Sequence, residues 1–168
     1  MSENLNLIAK KLEHIEQMRA YLDYSIAKMQ KPLAKIRKHG MDALTPEEHE
    51  TIAAFRARLA DFQEHLGKAM RSVAIEEEVN VDRFGSVLAF MEKMGVLEDT
   101  DLWKVIRELR NDVHHKYEND AKILFQFFNN MVTLAPALLG YHDRLKTFVE
   151  RTYGPAPAQQ KKTSLPNS

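Results

Sequence analysis

The sequence of 168 residues contains no cysteine. It therefore offers no disulfide bond, no thiolate nucleophile and no zinc finger. Such a composition fits the reducing cytoplasm, and we expect a cytoplasmic location. With 44% hydrophobic residues, the chain has enough apolar material for one soluble domain with a sizeable core.

The sequence also lacks an excess of either charge, because 24 basic residues balance 24 acidic ones. Nothing global therefore attracts the chain to nucleic acid, to an anionic membrane or to an acidic substrate, and such a partner would need a local patch. No apolar run approaches the ~20 residues of a membrane span. The first residues, MSENLNLIAKKLEHIEQ, carry charges throughout, so we expect no signal peptide and no membrane association.

Motifs for nucleotide and metal binding are missing as well. The sequence has no GxxxxGK loop followed by serine or threonine, no GxGxxG, no HExxH and no calcium-loop pattern. No two histidines have the i, i+4 spacing of helical metal ligands, and we expect neither a metal nor a cofactor. Five histidines stand singly and are interpreted as exposed or packing residues: His14, His39, His49, His65 and His142. The basic run 28–39 and the acidic run 76–78 are interpreted as solvated helix faces.

Apolar residues recur at intervals of three and four through most of the chain, which is the spacing of one helix face. The first such stripe comprises Leu5, Ile8, Leu12, Ile15, Met18, Leu22, Ile26, Met29, Leu33 and Ile36. Pro32 should kink or interrupt this helix. A second helix should begin near Pro46, because Thr45 is a suitable N-cap and Glu48 completes a capping box.

Three further helices complete the prediction. Asn80 is expected to cap a short third helix, and the last turn of a fourth helix should extend to Tyr117. A fifth helix should bend at Pro136. No segment alternates like a strand, so the sequence predicts an all-α fold, an antiparallel up-down bundle of about five helices over residues 1–152. Residues 153–168 have the Pro, Gln, Lys and Ser bias of a disordered C-terminal tail.

The fourth predicted helix ends in an unusual group of residues, RELRNDVHHKY at 107–117. At ~100° per residue, four apolar side chains should face the core: Leu102, Ile106, Leu109 and Val113. The opposite side has Lys104, Glu108, Asn111 and His115, and the flank has Arg107, Arg110 and His114. The titratable groups should therefore face solvent or another molecule. One interpretation is purely structural, because cations near a helix C-terminus favour the helix dipole.

The same residues also suit the cleavage of RNA without a metal. A guanidinium can clamp a phosphate, and an imidazole titrates near neutral pH. The nucleophile would be the 2′-hydroxyl group of the RNA itself. The protein would then only remove one proton, return another to the leaving oxygen and stabilise charge on phosphorus.

The stretch RNDVHHKY fits the pattern R-x4-H-x-Y with Arg110, His115 and Tyr117, and it resembles the signature of HEPN-domain proteins. Three segments, FRARLADFQEHLGKAMR, RFGSVLAFMEKMGVL and WKVIRELRNDVHHKYEND, resemble in order and spacing the HEPN toxins encoded beside a minimal nucleotidyltransferase. The resemblance covers Leu5 to Phe148, which is most of the chain.

The resemblance implies an all-α homodimer in which the motifs of both protomers form a metal-independent RNA endonuclease, the toxin of a toxin–antitoxin system. By position, Arg110 and His115 are the implied catalytic pair, and Asn111 is the polar residue that follows the arginine. Tyr117 matches the tyrosine that a partner nucleotidyltransferase, the antitoxin, modifies with AMP. His114 departs from the family pattern, which has a small or apolar residue there, and it is an auxiliary candidate.

Helical geometry and the family spacing disagree about the histidine. On an unbroken helix Arg110 and His114 share a flank, whereas Arg110 and His115 diverge by ~140°. Either the helix frays before His115, or a composite site takes the arginine and the histidine from different protomers. We favour His115, because Tyr117 fixes the spacing independently and helix ends are commonly irregular.

Two alternatives to the toxin remain open. A HEPN protein without nuclease activity would present a substrate or scaffold surface to its nucleotidyltransferase, and the neutral net charge favours this alternative. The intact motif favours the enzyme. If the motif is a coincidence, the chain is a structural helical protein without a site.

Overall fold

The computed structural model describes residues 2–112 and 118–154. Within these ranges the chain forms six α-helices, one short 3-10 helix at Met41–Ala43 and no strand. The helices are α1 (Glu3–Lys28), α2 (Gln30–His39), α3 (Pro46–Glu76), α4 (Phe84–Lys93), α5 (Thr100–Asn111) and α6 (Ala121–Tyr153). The predicted all-α helical bundle is confirmed. Its first predicted helix corresponds to α1 and α2 together.

The interruption between α1 and α2 lies at Met29, three residues before the proline that causes it. Pro32 has no N–H to donate to the carbonyl of Lys28, and its ring crowds that carbonyl. The Met29 amide instead bonds to the oxygen of Ile26 at 3.2 Å, and regular bonding resumes from the Leu33 nitrogen to the Met29 oxygen at 3.0 Å. Pro32 thereby occupies the first turn of α2, where its missing donor has no cost.

The start of α3 confirms the predicted capping box. The Glu48 amide donates to Thr45 Oγ1 at 3.1 Å, and the Thr45 amide donates to Glu48 Oε1 at 3.1 Å. The ammonium group of Lys35, on α2, forms an ion pair with the same carboxylate. Glu48 is only 7% exposed, so this carboxylate joins the middle of α2 to the start of α3 in a protected position.

The predicted cap of the third helix is wrong. The helix α4 begins at Phe84, and its N-cap residue Arg83 makes no side-chain capping bond. Asn80 instead accepts a hydrogen bond from the Asp82 amide at 2.8 Å. This is a local Asx turn, which is the alternative use of an asparagine side chain before a helix.

The helix α5 ends earlier than predicted, at Asn111, and Asp112 is not helical. The Asp112 amide bonds to the oxygen of Leu109, three residues back, at 3.4 Å, which is the tightening typical of a helix end. The helix α6 runs without interruption through Pro136 to Tyr153. The tail prediction falls almost entirely on residues 155–168, which lie outside the described residues.

The chain divides by its packing into two compact units. The first unit consists of residues 2–17, 64–100 and 140–154, and the second of residues 18–63 and 101–139 as far as they are described. Buried side chains of the first unit include Ile8, Ile15, Leu66, Met70, Val73, Leu88, Met91, Tyr141 and Leu145. Those of the second include Leu22, Met29, Ile36, Phe55, Leu59, Phe62, Trp103, Ile106 and Phe128.

The helix α6 is long and apolar enough to cross a membrane when only its length and composition are considered. The sequence has no uninterrupted apolar run of that length, but the average over 18 residues of this helix reaches the required hydropathy. The side chains of Leu124, Phe128, Met131 and Leu138 are buried inside the protein, as they are in a core helix of a bundle. This signal is therefore weak support for a membrane span.

The Glu48 carboxylate should make the stability depend on pH. The hydrogen bond from Lys35, with further bonds from Thr45, lowers the Glu48 pKa from 4.5 to about 2, although burial opposes the shift. A carboxyl group with a lowered folded-state pKa stabilises the fold above its unfolded pKa, and this contribution is lost as pH falls toward the folded value. The deficit in melting temperature of Glu48→Gln should therefore shrink between pH 4.5 and pH 2.

Glu47→Gln is the matched control, because Glu47 is the exposed neighbour in the same turn of α3. Thermal unfolding of the three proteins at several pH values makes the measurement. A Glu48→Gln deficit that stays constant down to pH 2 would contradict the assignment.

Candidate functional site

The structure describes two of the five predicted site residues, Arg110 and Asn111, which are the last residues of α5. The predicted catalytic His115, the auxiliary His114 and the AMP-accepting Tyr117 lie outside the described residues. The structure therefore gives the position of Arg110 but not its distance from the predicted histidines or from Tyr117.

The buried side of α5 differs from the predicted one. Trp103 and Ile106 are 2% and 1% exposed, while Leu102 and Leu109 are only half-buried. At ~100° per residue, Arg110 lies ~20° from Trp103 and between the directions of Trp103 and Ile106. Arg110 thus occupies the end of the buried side rather than an outward flank.

A buried glutamine of α3 explains how an arginine is accommodated on this side. Gln63 is 1% exposed, and its Oε1 accepts a hydrogen bond from Arg110 Nε at 2.9 Å. Gln63 Nε2 donates to the backbone oxygen of Trp103, also at 2.9 Å. Guanidinium groups only donate and carbonyl oxygens only accept, so the two partners fix which end of the amide faces which group. We name this chain of contacts the Gln63 bridge.

The Gln63 bridge orients the guanidinium through one edge. With Nε committed to Gln63, the other N–H donors of the group belong to its two Nη atoms, in the fixed fork that suits a phosphate or a carboxylate. The Arg110 side chain is half-buried rather than enclosed. A ligand at the end of α5 would therefore meet a guanidinium whose plane is already set.

Asn111 is exposed at the last position of α5, and Asp112 follows it half-buried. An exposed amide next to this guanidinium adds an NH₂ group with two donors and one carbonyl acceptor that solvent or a ligand can reach. Arg110 and Asn111 suit the binding of an anion, and proton transfer needs a further group. The histidines that the sequence predicts for that role are outside the described residues.

Gln63 and Trp103 are the residues that the sequence prediction missed. The signal for Gln63 was its spacing, because Leu59, Gln63, Leu66 and Met70 follow one another at intervals of four, three and four. A polar residue on an apolar stripe is buried, and a buried amide needs partners. The sequence could not identify those partners, since Arg110 lies 47 positions away.

Among residues 2–112 and 118–154, no group of three or more histidine, aspartate or glutamate side chains is placed to hold a metal ion. This finding covers only those residues. The expectation of a metal-independent reaction stays a prediction.

Replacing Gln63 should test the bridge. Gln63→Leu would leave the half-buried Arg110 Nε without its carbonyl partner, and it would remove the amide donor from the Trp103 oxygen. We expect the free energy of unfolding to fall by about 1–3 kcal/mol, because two hydrogen bonds of roughly 0.5–1.5 kcal/mol each are lost. Gln126→Leu, at an exposed position of α6, is the control. Urea unfolding that gives equal stabilities for both variants would refute the structural role of Gln63.

Comparisons with known proteins do not assign the chain to a family. No protein-family model, no curated protein and no solved structure matches the chain. The resemblance to HEPN proteins therefore depends on the motif and the segments of the sequence itself.

Proposed function

We propose that the protein is a metal-independent RNA endonuclease, the cytoplasmic toxin of a toxin–antitoxin system. A partner nucleotidyltransferase would silence it by adding AMP to Tyr117. The R-x4-H-x-Y motif carries the proposal, and the placement of Arg110 supports it. An arginine that only balanced a helix dipole would need no buried partner, whereas Arg110 has one in Gln63.

In the proposed reaction, Arg110 binds the oxygens of the scissile phosphate and stabilises the charge that develops on them. The 2′-hydroxyl oxygen of the RNA attacks phosphorus and loses its proton to a general base. The bond from phosphorus to the 5′-oxygen breaks, and that oxygen receives a proton from a general acid. The products are a 2′,3′-cyclic phosphate and a 5′-hydroxyl, and His115 supplies one of the two proton transfers.

A homodimer completes the proposed site. One arginine and one histidine are few groups for both an acid and a base, and a two-fold axis supplies a second set without further sequence. The helix α5 ends at Asn111 and Asp112 is not helical, so ideal helical angles are no argument for pairing Arg110 with His114.

Substitutions in the motif should separate the candidate residues. Arg110→Ala and His115→Ala should each lower the rate of RNA cleavage by about 10²- to 10⁴-fold, because each removes a group that acts in the transition state. His114→Ala should retain most of the rate. The measurement is cleavage of total cellular RNA by purified protein, with end-group analysis of the products. Growth arrest on expression should follow the same order.

The controls for cleavage address the mechanism. Activity should survive EDTA, since the proposed nucleophile needs no metal-activated water. EDTA-sensitive cleavage, or cleavage by His115→Ala at the wild-type rate, would remove the mechanism. A His114→Ala protein as inactive as His115→Ala would assign roles to both imidazoles.

Addition of AMP should occur at Tyr117. When the protein is mixed with the nucleotidyltransferase encoded by a neighbouring gene and ATP, its mass should increase by one AMP, and Tyr117→Phe should abolish the increase. Tyr24→Phe is the control, because Tyr24 is 58% exposed and therefore open to an enzyme. Retention of the mass gain in Tyr117→Phe would place the modification elsewhere.

A non-catalytic scaffold is the second candidate function. The observation that favours it is the neutral net charge, since enzymes that bind RNA usually have a basic surface. The Gln63 bridge is also compatible with a purely structural Arg110. For a scaffold, expression of neither the wild type nor His115→Ala would arrest growth, while the nucleotidyltransferase would still bind the protein.

A further inference from the structure

Two histidines that stand singly in the sequence are neighbours in the structure. His14 on α1 and His65 on α3 both belong to the first unit, and their ring centroids are 5.2 Å apart with a tilt of 56° between the ring planes. Both are separate from the R-x4-H-x-Y motif. Sequence spacing gave no sign of this pair, because 51 positions lie between the two residues.

The two imidazoles line a surface cleft of about 220 Å³. Among the residues that the structure describes, the others that line it are lysines, and the set is Lys10, Lys11, His14, His65 and Lys68. We name these five residues the basic cleft. No carboxylate belongs to the set, although the net charge of the whole chain is zero. The lysines therefore bring positive charge to the cleft, and Glu64, 3.6 Å from the Lys68 ammonium group, offsets part of it.

Helical spacing places these groups side by side. Lys10 and His14 are four residues apart on α1, and His65 and Lys68 are three apart on α3, so each pair occupies one helix face. The lysines that line the cleft repel one another, and a bound anion offsets this repulsion. Glu64 lies 3.6 Å from the Lys68 ammonium group, but both side chains are more than half exposed, and solvent screens such a pair.

We propose that the basic cleft is a binding site for a phosphate group. Ammonium groups offer only donors and positive charge, an imidazole offers an N–H donor, and a phosphate has several acceptor oxygens and up to two negative charges. The cleft volume of about 220 Å³ is many times the roughly 10–15 Å³ that a cavity needs to hold one water, so the cleft has room for a phosphate group. The ligand is a small phosphorylated molecule or the backbone of an RNA.

The two sources of phosphate can be distinguished by titration. Pyrophosphate and a short single-stranded RNA without a terminal phosphate are added separately to the full-length protein, and the NMR signals of His14 and His65 are followed. We expect pyrophosphate to shift both signals in a saturable manner. Lys10→Gln/Lys68→Gln should weaken binding by about tenfold or more, because it removes two charged donors.

Lys93→Gln/Lys122→Gln is the matched control, because it removes the same charge at two exposed positions outside the cleft. The control should bind within about twofold of wild type, and circular dichroism should show that both double variants are folded. Saturation by RNA alone, weakened only in the cleft variant, assigns the site to an RNA backbone. Saturation by neither ligand, or equal weakening in both double variants, would overturn the proposal. This titration does not involve Arg110 or His115. The phosphate site can therefore be confirmed or refuted whether or not the protein is a nuclease.

Discussion

The buried amide of Gln63 is the interaction on which the placement of Arg110 depends. An amide that is 1% exposed must have partners for both of its ends, because an unpaired polar group in the interior costs roughly 1–3 kcal/mol. Its donor end is satisfied by the Trp103 backbone and its acceptor end by the Arg110 guanidinium. The same side chain therefore fixes the rotation of α5 and the plane of the arginine. In a site that uses Arg110, the orientation of the guanidinium therefore depends on Gln63 of α3, a residue outside the R-x4-H-x-Y motif.

Local signals predicted most of the fold. The apolar stripe of α3 is buried along its whole length, and the capping box of Thr45 and Glu48 forms as its sequence spacing indicates. The errors were also local in origin. A proline disturbs the helix at the carbonyl four residues before it, so the break falls near Met29 rather than at Pro32. An asparagine side chain can bond to a turn or to a helix, and Asn80 bonds to the turn.

The candidate site was less predictable because its contacts are distant in sequence. The motif named Arg110, but the angular argument omitted the larger Trp103 from the buried side, which it predicted as Leu102, Ile106, Leu109 and Val113. Trp103 is buried, and its side of α5 faces Gln63. The basic cleft could not be predicted from the sequence either, because its residues on α1 and α3 are also distant in the chain. Each of its histidines has an ordinary helical environment in the sequence, and only the packing of α1 on α3 within the first unit brings their rings together.

The ion pair of Lys35 and Glu48 has a consequence for the order of folding. It joins residues 13 positions apart, whereas the Gln63 bridge joins residues 47 positions apart. Closing the longer loop costs about 1 kcal/mol more chain entropy when the cost grows as (3/2)RT ln n. We therefore expect the contact between α2 and α3 to form before α5 docks. In that order Arg110 acquires its orientation in the later step, and we expect an opening of α5 to release the guanidinium while the contact between Lys35 and Glu48 persists.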